Sequence, residues 1–99
     1  MNEVKYEDRV EIYEKAISAY GKLTQVGVCL EEMSELQKEL CKMMFRGDGH
    51  MYHLAEEIAD VTIMLEQLRV MFPGINDTVC EIMDAKVLRL KGKLEKEGW

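Results

Sequence analysis

Apolar residues in this chain recur at three- and four-residue steps through four successive stretches, and nowhere do they alternate as a strand would require. The first stretch runs from about Lys5 to Tyr20, with Tyr6, Val10, Tyr13, Ile17 and Tyr20 on one stripe and Gly21 placed as a C-cap. The second runs from about Thr24, a candidate N-cap, to Phe45 and ends before Arg46-Gly47-Asp48-Gly49. The third covers Met51 to Phe72 and stops at Pro73-Gly74, where the single proline of the chain blocks helix continuation. The last begins after Asn76 or Asp77 and carries Val79, Ile82, Met83, Val87, Leu90 and Leu94 on one stripe. No repeat, linker or low-complexity run interrupts the 99 residues. The pattern predicts one all-α domain over residues 1–99, a compact four-helix bundle-like fold.

A chain of this length buries only somewhat over about 60% of its unfolded surface, which makes a core shared between copies a natural solution. Ile63 and Val70 oppose the main apolar arc of the third stretch and point to a second buried face, hence to a partner subunit.

Charge narrows the partners. Thirteen Lys and Arg stand against 19 Asp and Glu, a net charge of -6, which argues against a protein that coats nucleic acid. No segment approaches the roughly 20 apolar residues that span a bilayer, and no signal peptide is visible, so a cytoplasmic protein without membrane partners is expected. Cys29, Cys41 and Cys80 form no Cys-x-x-Cys pair and predict neither a disulfide framework nor a zinc knuckle.

The acids collect in two runs, Glu31-Glu32-Met33-Ser34-Glu35 and Glu56-Glu57-Ile58-Ala59-Asp60. Glu pairs three apart are common on solvated helix faces, so the ordinary reading is a wet surface. On a helical wheel of the third stretch, however, Leu54, Ile58, Val61, Met64, Leu65, Leu68, Met71 and Phe72 fill one arc and Glu57 falls inside it, at about 300° from Leu54. Asp60 lies at the edge of that arc and Glu56 faces outward. On the second stretch Glu32 borders the apolar arc and Glu35, at about 180° from Val26, faces away. A carboxylate within an apolar arc needs a proton, a cation or a metal. If the two helices pack antiparallel, Glu32, Glu35, Glu57 and Asp60 meet across their groove, and four oxygen donors without His or Cys suit Mg²⁺ or Mn²⁺.

The paired runs, Glu31-Glu32-x-x-Glu35, a spacer of 21 residues and Glu57-x-x-Asp60, resemble the signature of the MazG-like all-α nucleoside triphosphate pyrophosphohydrolases. The flanks Leu30 to Leu36 and His53 to Leu68 are similar too, and the resemblance extends over about residues 16 to 95. It implies a Mg²⁺-dependent enzyme, assembled as a homodimer or homotetramer, that cleaves a nucleoside triphosphate between the α- and β-phosphates, an activity of the kind that clears non-standard or surplus nucleotides. By position it implies Glu32, Glu35, Glu57 and Asp60 as metal ligands and catalytic acids, with Glu31 supporting them from behind. Lys86 and Arg89 match basic positions after the second motif. They, or Lys42 and Arg46, are candidates to meet phosphate, each with a solvated cation as its ordinary alternative. Gln25, seven residues before Glu32 and nearly on its face, is a candidate to read a base edge.

Other readings stay open. Phosphoribosyl-ATP pyrophosphohydrolase shares the acidic pattern, although the context Thr62 to Leu68 leans away from it. A non-catalytic helical interaction or regulatory protein would keep the acids for solubility. A di-iron bundle wants Glu-x-x-His, whereas His53 precedes Glu56 and reverses that order. The tyrosine stripe Tyr6, Tyr13 and Tyr20 is expected in the core, as are most of the eight methionines.

Overall fold

The computed structural model describes residues 2–99. It contains helices α1 (Tyr6–Tyr20), α2 (Lys22–Cys41), α3 (Met51–Met71) and α4 (Ile75–Lys96), with α2 running on into one π-helical turn, Lys42–Arg46. No strand occurs among the described residues. Among the described residues no helix is long and apolar enough to cross a membrane.

The breaks fall where backbone chemistry forces them. Gly21, at φ +91°, both ends α1 and precedes α2, its N–H donating to the Ile17 carbonyl at 2.8 Å. The chain turns within this one residue, which only glycine does at no steric cost. Thr24 is therefore inside α2 and is not its N-cap. At the other end of the α2–α3 hairpin, His50 caps α3 by accepting from the Tyr52 N–H at 3.2 Å. Gly74, at φ +82°, follows Pro73 and lets α4 start at Ile75, earlier than Asn76 or Asp77. Asn76 is engaged elsewhere: its Oδ1 accepts from Arg69 Nε at 2.7 Å, tying the first turn of α4 to the last of α3.

Helices α2 and α3 lie side by side and antiparallel, and α1 packs against both, more on α3 than on α2. Between them Tyr13, Cys29, Val61, Met64 and Met71 are buried, along with the polar Gln25, Glu39 and Gln67. Of the tyrosine stripe only Tyr13 belongs to this core; Tyr6 and Tyr20 are exposed. Tyr13 is held there by a polar network. Its hydroxyl donates to Glu66 Oε1, which also accepts from Arg9 Nε at 3.0 Å. Burial, and then the bond to Glu66, push the Tyr13 phenol up to about 12. The Arg9 and Tyr13 hydrogen bonds hold the Glu66 carboxyl below its ordinary value. Tyr13→Phe removes a hydrogen bond to a charged acceptor, and we expect it to lower unfolding stability in urea by about 1.5 kcal/mol. An unchanged midpoint would show that Arg9 alone satisfies Glu66.

Helix α4 departs from the expected compact bundle. None of its residues is buried, and Ile82, Met83, Val87, Leu88 and Leu90 are all about half exposed or more. The Cα radius of gyration is 16.7 Å, against about 13 Å for a compact domain of this length. Three helices form the packed unit. The fourth touches it at the end of α3 and carries an apolar stripe for which the described residues offer no partner.

Candidate metal centre

The register of α2 against α3 is fixed by two amides. Gln25 Nε2 donates to Gln67 Oε1 at 2.8 Å, and both residues are buried. In an antiparallel pair each step forward on one helix matches a step back on the other. Seven residues on from Gln25, Glu32 therefore faces Asp60, seven residues before Gln67. Glu57, one turn from Asp60, completes the group. One carboxylate oxygen from each of Glu32, Glu57 and Asp60 lies within 4.8 Å of the others.

Like charges at this distance cannot all be sustained bare. Desolvation and then the charges of Asp60 and Glu57 raise the Glu32 carboxyl, helped by a hydrogen bond to Asp60. Desolvation, followed by the charges of Asp60, Glu35 and Glu39, raises Glu57. Glu57 Oε2 is shut off from solvent and has no hydrogen-bond partner. An orphaned carboxylate oxygen within an all-oxygen group is what a hard divalent cation satisfies, so the residues present fit Mg²⁺ or Mn²⁺.

The other sequence candidates fall elsewhere. Glu35 and Glu31 are exposed and outside the close group. Glu35 is turned toward solvent three residues beyond Glu32, and acts on Glu57 only through its charge. Glu31 acts on Glu32 in the same way. Lys42 lies 3.5 Å from Glu39 Oε1, and Arg46 pairs across the loop with Asp48 at 4.0 Å. Lys86 and Arg89 are exposed on α4, and no ion pair among the described residues joins them to the acids. Gln25 is buried and spends an amide N–H on Gln67, so it braces two helices and presents no open face for a base. Glu39, Glu66 and Gln67 were not singled out in the sequence. For Glu39 a signal existed, because it follows Glu32 by seven residues and so shares its face.

The raised carboxyls have a thermodynamic consequence. Above the ordinary carboxylate value of 4.5 the folded protein keeps protons on Glu32 and Glu57 that the unfolded chain releases. The stability from these two groups is thus full below that value and lost as pH rises through their raised ones. Glu66 acts oppositely, its contribution being lost only as pH falls through its lowered value. Metal-free protein should melt lower at pH 7.5 than at pH 5. Mg²⁺ at about a hundred times its Kd should restore roughly 2.7 kcal/mol at pH 7.5, on the order of 10 °C in Tm. Scanning calorimetry of the wild type beside Glu32→Gln checks this, and the variant should lose most of both effects.

Comparison of the chain with family models, curated proteins and solved structures returns no match.

Proposed function

We propose that the chain is a Mg²⁺-dependent nucleoside triphosphate pyrophosphohydrolase of the MazG-like kind, acting in the cytoplasm as a homo-oligomer. The observation that carries this reading is the convergence of Glu32, Glu57 and Asp60 from two facing helices on one point, on the spacing that the resemblance assigns to the metal ligands. Glu32, Glu57 and Asp60 would hold Mg²⁺, which would supply positive charge to neutralise the triphosphate oxygens and orient the substrate for in-line attack. The protein's own part is to hold the acids. The Gln25–Gln67 pair sets the helix register, and Glu57 and Asp60, three residues apart, share a face of α3. Glu35, exposed beside the group, leaves a carboxylate at its rim. In the reaction a water oxygen bonds to the α-phosphorus and the bond to the bridging oxygen of the β-phosphate breaks. The water's proton passes to a carboxylate of the group, and monophosphate and pyrophosphate leave.

The deciding experiment is incubation with a panel of NTPs and dNTPs plus Mg²⁺, with detection of pyrophosphate. Release of single phosphate in its place would refute the reading. One observation favours a second reading, a non-catalytic helical interaction protein: the unpartnered apolar stripe of α4 is a docking surface whether or not the acids react. No turnover across the panel, together with a melting temperature unmoved by millimolar Mg²⁺, would establish that alternative.

A further inference from the structure

The N–H groups of a helix's first turn have no acceptor within the helix. Among the described helices only α3 has one of them met by a side chain, and that side chain is a histidine: His50 Nδ1 accepts from the Tyr52 N–H at 3.2 Å. A ring nitrogen accepts only while it carries no proton, so the bond requires a neutral imidazole with its proton on Nε2. Little else holds this turn. Met51, Tyr52 and His53 are all exposed, and Leu54 is the first residue of α3 with partial burial. The loop before the turn is fixed from its other side. A Cβ at Gly49 would come within 2.6–2.7 Å of the Met43 backbone N and side chain, so the chain passes tight against the π-helical turn and delivers His50 to the cap position.

Once charged, the ring would turn an N–H toward the Tyr52 N–H, and the positive end of the helix dipole repels it from the cap. The first turn of α3 contains no acid to hold it there. The His53 ring is 5.0 Å away, centroid to centroid. The charged side chains of the adjoining elements are paired with one another: Lys42 on the π-helical turn is 3.5 Å from Glu39, and Arg46 is 4.0 Å from Asp48 in the loop. Neither histidine joins an ion pair among the described residues. We propose that His50 is a proton-operated latch on the connection between α2 and α3. Neutral, it closes the first turn of α3. Between about pH 8 and pH 5, where histidine changes charge, a proton takes the Nδ1 lone pair, the bond from Tyr52 breaks and the turn opens to water. Glu57 lies seven residues further on, about two turns along the helix, so the opening is local and the latch works whatever the acids bind.

The test is a nuclear magnetic resonance titration of the metal-free full chain from pH 8 to pH 5. It follows the His50 ring nitrogens and the exchange of the Tyr52 amide, corrected for the intrinsic pH dependence of exchange. The wild type should hold the His50 proton on Nε2 at pH 8. As the ring takes its second proton, Tyr52 protection should fall about fivefold, the change in an opening equilibrium that loss of one helix cap typically brings. His50→Asn, whose side chain accepts at every pH in this range, should keep the protection throughout, and His50→Ala should lack it throughout. His50 is exposed, so both variants leave the core as it is. Equal wild-type protection at the two ends of the titration overturns the latch, as does a proton on Nδ1 at pH 8. A fall in His50→Asn equal to that of the wild type assigns the change to another group, such as His53, and overturns it as well.

Discussion

Glu57→Gln should lower Mg²⁺-dependent pyrophosphate release by about 10²–10³-fold or more, the scale on which loss of one preorganised electrostatic contact acts, while raising the melting temperature of the metal-free protein. The two effects share one cause. Glu57 sits where desolvation and four neighbouring acids all disfavour its charge, and one of its oxygens is shut off from solvent with no hydrogen-bond donor beside it. The amide keeps the shape, removes the repulsion and gives the buried position a group that can donate. What it cannot do is hold a divalent cation. Asp60→Asn, at the exposed side of the same group, should match the loss of activity with a smaller gain in stability, because less of its charge is desolvated. A site retained for reaction and costly to the fold is expected to show this opposition of activity and stability. Undiminished turnover in both variants would remove the group from the chemistry.

Much of this centre was legible in the sequence because helix periodicity is nearly rigid. Placing Glu57 inside the apolar arc of its own helix required only about 100° per residue, and Glu57 is the member of the group left with a buried, unpartnered oxygen. The same wheel turned Glu35 outward, where the structure has it, although the resemblance to pyrophosphohydrolases made it a ligand. Periodicity failed where burial depends on what lies opposite. Tyr6 and Tyr20 share a stripe with Tyr13, yet only Tyr13 reaches a partner on α3, Glu66, and the other two remain in solvent. Ile58 and Leu65 lie on the apolar arc of α3 and are exposed as well, since one helix cannot wrap its whole arc with two neighbours. The cross-helix register was not legible at all. It is set by Gln25 and Gln67, and amides in a sequence carry no mark of a buried partner. Glu39 lies outside both acidic runs, where a single Glu in a helix rich in Lys and Glu reads as surface, and only its spacing of seven from Glu32 marks it as sharing that face.

Val87→Glu combined with Leu90→Glu should reduce the protein in solution to a monomer of 11.5 kDa, from two or four times that mass in the wild type. Met83, Val87, Leu90 and Leu94 follow one another at steps of four, three and four, the spacing of a helix–helix seam. Each of them is 40–62% exposed. With Ile82 and Leu88 they present apolar surface on the order of 600 Å², the upper end of what monomers leave in water and near the roughly 800 Å² per partner of a standard interface. The groove where α4 meets α3, lined by Leu65, Leu68, Ile75, Val79 and Met83, holds about 360 Å³ and prolongs this surface toward the packed unit. A second copy is the occupant argued for, because a self-complementary apolar stripe closes on itself by twofold symmetry without exposing a new edge. Light scattering across a concentration series measures the outcome, and a wild type that stays monomeric at tens of micromolar would refute it. No residue of α4 is buried within the chain, so the double variant leaves the packing of α1, α2 and α3 intact. Glu32, Glu57 and Asp60 all come from that unit, and the monomer should therefore still bind Mn²⁺. If it does, any loss of turnover in the same variant measures what assembly contributes to the reaction, separately from what the acids contribute.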